Sequence, residues 1–238
     1  MQNSYSVIAK YYDKFTKDDC DYQQWSQYLY SVAKSYNCKR VVDIACGTGK
    51  MTQLLLKLGL QVVGVDYSEQ MLQVARQKCN ALLVCQDMKK LALPGKMDMA
   101  VCVNDGVNYL KQSELQNFFE RVWQNLKQGS PFVFDVSSAH KLQNVVGNNV
   151  FYVDEQDQTL LWTNKLAKDS VTMSLTLFEK TSDNKYVRME ESHKQYVHQT
   201  EDLVQLLEQS GFEVIEVSQY GKNVTKNSLR VSFLAVKK

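Results

Sequence analysis

The chain has 238 residues, of which 28 are Lys or Arg and 26 are Asp or Glu, so its net charge is only +2. This length suits one large domain or a domain with an insertion, and the balanced charge demands no polyanionic partner. No apolar run approaches the roughly 20 residues that cross a bilayer, and the polar N-terminus lacks a signal-peptide core. We therefore expect a cytoplasmic protein without a membrane partner. The six cysteines form no C-x-x-C pair, which favours free thiols over a zinc site, and we expect no metal.

Residues 1–36 are rich in aromatic side chains and predict two helices. The residues that share one helical face are Ile8, Tyr12 and Phe15 in the first helix, and Trp25, Leu29 and Val32 in the second. Packing against the edge of a sheet accounts for such a pattern, and so does a position beside a ligand.

Residues 41–66 form the most informative stretch of the chain and predict a βαβ unit. An apolar run, V-V-D-I, leads into the turn C-G-T-G, and an apolar helix and a second run, V-V-G-V, follow and end on Asp66. Such units have parallel strands joined by a crossover helix. Ligands bind beyond the carboxyl ends of these strands, where both the glycine turn and Asp66 fall.

The residue types at this corner indicate a nucleoside ligand. Gly47 and Gly49 allow a sharp turn and a close approach of the backbone to the ligand, and the following helix offers unpaired N–H groups. Asp66 presents two acceptor oxygens at the reach of a ribose diol. A dinucleotide is less favoured, because Thr52 stands where the G-x-G-x-x-G pattern requires its third glycine.

Taken together, D-I-A-C-G-T-G at residues 43–49, V-V-G-V-D-Y-S at residues 62–68 and Met71 resemble the first two motifs of the class I S-adenosylmethionine-dependent methyltransferases. Ala45 replaces the first glycine of the usual D/E-x-G-x-G-x-G motif. The resemblance implies an α/β fold with a Rossmann-like seven-stranded sheet, mostly parallel with strand seven antiparallel, and helices on both faces. The further strands that it implies are residues 81–85, 97–103, 132–136, 212–217 and 229–236, with helices at residues 114–126 and before Gly211.

The resemblance also implies a set of residues that bind S-adenosylmethionine, whose product is S-adenosylhomocysteine. Asp87 is expected to accept a hydrogen bond from the adenine amino group, and Tyr12 to lie near the methionine moiety, with Tyr5 and Tyr22 as weaker candidates. Asn104 is expected to face the methionine end. The full set is Tyr12, Ala45, Cys46, Gly47, Asp66, Tyr67, Met71, Asp87, Met88 and Asn104.

The segment N-D-G-V-N-Y-L after strand four is expected to line the path from the sulfonium to the acceptor. Asp105, Asn108 and Tyr109 are the predicted acceptor contacts there, together with Tyr22. Methyltransferases that modify exocyclic base amines usually carry N/D-P-P-Y/F at this place, where they hold a flipped base. This chain has N-D-G-V instead, which leaves a protonated-amine or carboxyl acceptor open.

Residues 140–199 are not required by the core fold and predict a small antiparallel sheet. Val171, Met173, Leu175 and Leu177 alternate with polar residues, and the pair at residues 183–184 suits a hairpin tip. We predict a cap over the active site formed by residues 140–199. The methyltransferase domain then comprises residues 1–139 and 200–238, with residues 1–36 as an N-terminal helical lid.

Glu191 and His193 fall on the apolar face of the last cap strand by period-two spacing. Burying this pair is costly unless it is partnered or meets a water-filled cleft. A structural Glu–His hydrogen bond and a contact with the acceptor both remain open. If the acceptor is an amine or hydroxyl, His193 assisted by Glu191 is the predicted general base, with Asp105 next.

The sequence thus predicts an S-adenosylmethionine-dependent methyltransferase that acts on a small molecule. Methylation of tRNA or rRNA stays open but is less favoured, because the net charge is weak, no RNA-binding domain is added and a cap is predicted. A binding module without chemistry and an NAD-linked oxidoreductase are the alternatives from other classes; Thr52 argues against NAD. Either a monomer or a homodimer fits the sequence.

Overall fold

A computed structural model describes Tyr5, residues 8–16 and residues 20–238. The helices are α1 Tyr12–Phe15, α2 Tyr22–Ser35, α3 Lys50–Lys57, α4 Glu69–Lys78, α5 Gln112–Asn125 and α6 Thr200–Gln209. The strands are β1 Arg40–Ile44, β2 Gln61–Asp66, β3 Leu82–Cys85, β4 Met99–Cys102, β5 Pro131–Ser137, β6 Val150–Glu155, β7 Gln158–Leu166, β8 Ser170–Lys180, β9 Tyr186–Tyr196, β10 Phe212–Ser218 and β11 Arg230–Lys237. Short 3₁₀ turns cover Met88–Lys90 and Gly106–Tyr109, and a π-helical turn covers Lys141–Val146.

Seven strands form the main sheet in the order β10-β11-β5-β4-β1-β2-β3. β11 is antiparallel to both of its neighbours, whereas the pairs from β5 to β3 are parallel. The chain runs from β1 outward to β3 and then returns to β4 on the other side of β1. The carboxyl ends of β1 and β4 therefore flank the crevice where open α/β sheets bind ligands. The predicted Rossmann-like fold, with an antiparallel seventh strand, is confirmed.

Helices cover both faces of this sheet. Apolar residues of α5 and α6 pack with Phe132, Phe134 and Phe233 on one face, and those of α2 and α3 pack with Val41 and Val101 on the other. Alternating side chains of the central strands therefore face two separate cores, as expected for strands that are buried on both sides.

The second sheet is antiparallel, has four strands in the order β6-β7-β8-β9 and follows β5 in the chain. Its β8–β9 hairpin turns at Ser182 to Lys185, where Asn184 has a positive φ of 61°, as the sequence predicted for this tip. Leu160, Leu177 and Met173 are buried on its inner face, whereas Val187 near the hairpin tip is 48% exposed. The inward-facing side of β9 therefore does not extend to Val187, near the start of the strand.

The N-terminal region differs most from the two predicted helices. Its second helix, α2, is present, but the first is a single turn, Tyr12–Phe15. The backbone N–H groups of Tyr5 and Ile8 are bound by a side chain of β9, and are therefore not engaged in a longer helix. The other residues of the predicted 1–36 lid, 1–4, 6–7 and 17–19, lie outside the described residues. Within the described part of the chain, no helix is long and apolar enough to span a membrane.

Candidate active site

A cavity of about 440 Å³ lies at the carboxyl ends of β1, β2 and β4, in the size range of small-molecule sites. We call it the first cavity. It brings together all ten residues that the sequence assigned to the cofactor, together with two of the predicted acceptor contacts. These are Tyr12, Ala45, Cys46, Gly47, Asp66, Tyr67, Met71, Asp87, Met88 and Asn104, and Tyr22 and Tyr109. Their convergence makes this cavity the candidate ligand site.

Asp66 fixes the glycine turn that borders the first cavity. Its Oδ2 accepts a hydrogen bond of 2.8 Å from the Gly47 N–H, and its Oδ1 accepts one of 2.8 Å from the Ser68 N–H. Burial raises the pKa of Asp66, and these two donors counteract part of that rise. Each oxygen keeps a further acceptor site, so the carboxylate can also bind a ligand diol.

Gly49 ends the turn with a φ of 74°, and a Cβ there would lie 2.9 Å from the Cβ of Ala75 in α4. Only glycine meets both the left-handed conformation and the close helix contact. Ser68, the N-cap of α4, accepts a 3.3 Å hydrogen bond from the Met71 N–H. Met71 therefore lines the first cavity, and Leu72 and Ala75 of α4 are buried.

Asp43 is a buried carboxylate that faces the first cavity and was not among the predicted site residues. Its Oδ2 accepts a 2.5 Å hydrogen bond from the Thr52 hydroxyl, but its Oδ1 has no hydrogen-bond partner among the described residues. Burial raises the pKa of Asp43 to about 7. An unpaired acceptor in such surroundings is costly, and a cationic ligand group in the cavity would satisfy it.

Asn104 and Asp105 follow β4 and both adopt the left-handed conformation, with φ values of 62° and 58°. Two successive residues of this kind are strained and must be held by their surroundings. Asp135 of β5 holds them, because its carboxylate accepts hydrogen bonds from the Asn104 N–H (2.6 Å) and the Asp105 N–H (3.3 Å). The Asn104 amide then donates to the hydroxyls of Tyr12 (3.0 Å) and Tyr22 (3.2 Å) at the boundary of the first cavity.

Arg230, at the start of β11, pairs with the carboxylates of Asp105 in this turn and Asp135 in β5, and is only 5% exposed. Its Nη1 lies 2.5 Å from Oδ1 of Asp105 and also pairs with Asp135. Burial by itself would raise the pKa of Asp105, but the guanidinium charge outweighs burial and holds that pKa well below its usual range. Asp105 is therefore ionised at neutral pH and fixed in direction.

A second cavity of about 90 Å³ lies between the four-stranded sheet and the main domain. Tyr5, Tyr12, Asn104 and Tyr109 line both cavities and thus stand between them. The other polar residues that line the second cavity are Thr16, Asp105, Lys141, His193, Gln195 and Arg230. Apolar residues such as Leu160, Met173 and Leu175 complete it.

His193 contacts the second cavity from β9, with its side chain 3% exposed. Its Nε2 lies 2.7 Å from Oε1 of Glu191 but outside the angular range of a hydrogen bond, and its Nδ1 has no hydrogen-bond partner among the described residues. The ring of Tyr5 packs on it at 4.2 Å between centroids. The inward direction predicted for Glu191 and His193 is confirmed; their roles stay predictions.

Asn108 does not line either cavity, in contrast to the predicted acceptor contact. Its Oδ1 accepts a 2.8 Å hydrogen bond from the Ser137 N–H, and its Nδ2 donates to the carbonyls of Ser137 (3.3 Å) and Tyr196 (2.9 Å). This buried amide is therefore hydrogen-bonded to both β5 and β9, and it links the two sheets.

Other polar residues around the cavities come from places that the motifs do not mark. Asp135 and Arg230 are isolated charges in apolar strands, and each needs a buried partner; that need was the only signal in the sequence. Lys50, in the first turn of α3, lines the first cavity with its ammonium 4.3 Å from the Tyr22 ring centroid. Gln195 donates a 2.8 Å hydrogen bond to Oδ2 of Asp105.

Comparison with known proteins assigns the family. A methyltransferase-domain family model matches residues 41–129. A presumptive methyltransferase of Geobacillus sp. (strain WCH70) is 31% identical over 247 aligned residues, which cover 98% of this chain and all of that protein. The crystal structure of an S-adenosylmethionine-dependent methyltransferase from Clostridium acetobutylicum is 31% identical, with a TM-score of 0.88 over 98% of both chains.

A sugar N-methyltransferase from a Streptoalloteichus species is 18% identical, with a TM-score of 0.80 over 95% of this chain and 92% of that one, and it shows a shared fold. The near-complete alignments at 31% identity extend beyond the glycine turn to the small sheet. They agree with a nucleoside-sized cavity at the carboxyl ends of β1 and β2, into which Asp43 presents an oxygen that has no hydrogen-bond partner among the described residues. The chain belongs to the class I S-adenosylmethionine-dependent methyltransferases.

Proposed function

We propose that this methyltransferase acts on a small molecule that binds in the second cavity. The observation that carries the proposal is the second cavity itself, which lies between the two sheets and, among the described residues, shares the lining side chains of Tyr5, Tyr12, Asn104 and Tyr109 with the first cavity. A small acceptor placed there has its nucleophile next to the cofactor. The sugar N-methyltransferase with the same fold supports a small acceptor, by analogy only.

The first cavity fits the groups of S-adenosylmethionine. Asp66 would bind the ribose diol, and Asp87 and Met88 would border the adenine. The unpaired Oδ1 of Asp43 would bind the cofactor's ammonium group, and Lys50 its carboxylate. Asn104 and the tyrosine hydroxyls that it contacts would then lie nearest the sulfonium.

Bound S-adenosylmethionine supplies an electrophilic methyl group, so the protein's part is to align the acceptor and exclude water. Proximity alone is worth several kcal/mol of barrier when the reacting atoms are held in line. Asp105, ionised and fixed by Arg230 and Gln195, would orient a hydrogen-bond donor of the acceptor. Nδ1 of His193, which has no partner among the described residues, would take the proton that an amine or hydroxyl nucleophile loses.

RNA methylation is a weaker candidate for geometric reasons. A polynucleotide requires an open basic groove, whereas the second cavity is narrow and has mostly apolar walls. A binding module without chemistry would not require polar side chains that converge on a second cavity beside the methyl donor.

The proposal predicts where a labelled methyl group goes. We expect the protein, supplied with methyl-labelled S-adenosylmethionine and cell extract, to label the low-mass fraction and not the RNA fraction. Leu175→Trp, which fills the second cavity from β8, should lower that transfer at least about tenfold because the acceptor is excluded. Its affinity for S-adenosylhomocysteine, measured by calorimetry, should stay within about twofold of wild type, because Leu175 does not line the first cavity.

Leu161→Trp is the matched control for the cavity-filling variant. Leu161 lies in the same sheet but is 37% exposed, and its variant should transfer methyl groups at the wild-type rate. Label that appears in RNA, or full transfer by Leu175→Trp, would contradict a small acceptor in this cavity.

His193→Asn tests the predicted general base. We expect kcat to fall about 10²- to 10⁴-fold, the usual contribution of a positioned base, with little change in cofactor affinity. The measurement is initial-rate kinetics with the acceptor found in the low-mass fraction. His198→Asn is the control, because His198 is also buried but contacts Gln112 and lines neither cavity. Equal rates in wild type and His193→Asn would remove this imidazole from the mechanism.

A further inference from the structure

The N-terminal strap, by which we mean Tyr5 and residues 8–16, connects the two sheets across both cavities. Tyr5 and Tyr12 line the first and the second cavity. At the core end of the strap, Oδ1 of Asp13 accepts a 2.6 Å hydrogen bond from the Thr48 hydroxyl in the glycine turn. The other carboxylate oxygen pairs with Lys78 of α4. This end therefore rests on elements that surround the first cavity.

The other end of the strap is held by one carboxylate of the small sheet. Glu191 of β9, whose side chain is 5% exposed, accepts hydrogen bonds from the backbone N–H groups of Tyr5 and of Ile8, the latter at 3.2 Å. Ile8 packs beside it on Leu160 and Leu177. The same carboxylate lies 2.7 Å from the His193 ring. One charge thus contacts both the strap and the imidazole of the second cavity.

No residue of the small sheet lines the first cavity, as far as the described part of the chain shows. The strap, in contrast, contributes two tyrosines to that cavity. A change at Glu191 therefore reaches the cofactor through the strap and without direct contact. Within the low-dielectric interior an ionised acceptor binds N–H donors more strongly than a neutral amide oxygen does.

We propose that Glu191 is a positioning residue that ties the strap over the cofactor to the His193 imidazole. This inference builds on the proposed function, in which His193 faces the acceptor. Cofactor binding stabilises the strap in the position seen here. That position sets how the Glu191 carboxylate is shared between the Tyr5 and Ile8 N–H groups and His193. By linkage, an acceptor whose affinity at His193 rises by a given factor when the cofactor is bound raises cofactor affinity by that same factor.

The test uses S-adenosylhomocysteine as the probe and needs no acceptor, so it stands apart from the outcome of the methyl-transfer experiment. We expect Glu191→Gln in the full chain to raise the Kd for S-adenosylhomocysteine about tenfold, the usual scale for a lost charged acceptor. Glu179→Gln is the matched control. Glu179 also pairs with the strap, 3.5 Å from Lys10, but at the surface, and its variant should stay within about twofold.

Histidine-labelled NMR supplies a readout that a merely structural role of Glu191 would not change. The chain has three histidines, and S-adenosylhomocysteine should shift the His193 imidazole signal in wild type and in Glu179→Gln but not in Glu191→Gln. A wild-type Kd together with a preserved His193 shift in Glu191→Gln would overturn the proposal.

If Glu191→Gln fails to fold, Glu191→Asp replaces it, because aspartate keeps the charge and shortens the reach by one methylene group. This variant should raise the Kd at least about threefold, since the shorter side chain cannot reach both N–H groups. An unchanged Kd would overturn the proposal equally.

Discussion

Replacing Arg230 with methionine should destabilise the protein by about 3–5 kcal/mol, the cost of removing one partner from a buried ion pair. The guanidinium pairs with Asp105 and Asp135 and donates a 3.1 Å hydrogen bond to Oδ1 of Asn104. It also lies 5.0 Å from the Trp25 ring centroid. Without it two neighbouring carboxylates remain buried with no ion-pair partner among the described residues. Urea unfolding monitored by circular dichroism at neutral pH measures the loss.

The pH dependence of this loss has a defined sign. In wild type the pKa of Asp105 is held below its unfolded value, so the pair stabilises the fold above that value and the stabilisation is lost as the pH falls. Without Arg230 the buried carboxylates favour protonation, so the deficit of Arg230→Met should shrink towards acid pH. Arg76→Met, which breaks a 2.6 Å surface pair with Glu69, should cost less than about 1 kcal/mol. A similarly small loss for Arg230→Met would contradict a supporting role for the guanidinium.

The fold followed from the sequence where local patterns and chain order agree. The glycine turn and Asp66 had to meet because both end parallel strands of one βαβ unit. The interior faces of β8 and β9 could also be predicted, because period-two spacing placed His193 inward.

Side chains whose role depends on a distant partner were not predictable in the same way. Arg230 and Asp135 are 95 residues apart in the chain, and only the pairing of β11 with β5 brings them together. Asn108 had the position of an acceptor contact, but β9 approaches it closely enough for the Tyr196 carbonyl to bind its amide. Glu191 has backbone groups of the strap as its partners, and no side-chain pattern reveals such a contact.

The two cavities differ in the kind of contact that fixes their residues. The glycine turn and Asp66 of the first cavity are fixed by contacts within one βαβ unit, so sequence motifs mark them. The second cavity depends on contacts between sheets, and its polar residues are fixed by the Arg230–Asp105–Asp135 network and by the strap. The contacts that form the second cavity lie outside these motifs, so the motifs carry no information about the acceptor that we propose to bind there.

Asp43→Asn should raise the Kd for S-adenosylhomocysteine about 10- to 100-fold, the range for a hydrogen bond to a charged group. Asp43 is 1% exposed, and its unpaired Oδ1 is the proposed partner of the cofactor's ammonium group. The variant keeps an oxygen for the Thr52 hydroxyl, which binds Asp43 in wild type, and loses only the charge. Isothermal calorimetry measures the affinity, and the ligand-free variant should remain folded.

The same carboxylate predicts how binding varies with pH. Burial raises the pKa of Asp43 to about 7 in the ligand-free protein, so below that pH the ammonium group must displace a proton. Affinity should fall up to about tenfold per pH unit below 7 and level off above it, and Asp43→Asn should remove this slope. The raised pKa also makes ionisation of Asp43 destabilising as the pH rises from its unfolded value to about 7. The variant should therefore match or exceed wild-type stability at pH 8 without ligand.

Asp98→Asn is the control for both measurements. Asp98 is also a carboxylate that accepts backbone hydrogen bonds, from Lys39 (3.0 Å) and Arg40 (2.8 Å), but it lines neither cavity. Its variant should keep both the wild-type affinity and the wild-type pH slope. If Asp43→Asn binds S-adenosylhomocysteine as tightly as wild type and retains the slope, the buried carboxylate is not the ammonium partner. The unpaired oxygen would then need another explanation, because leaving it without a partner destabilises the protein.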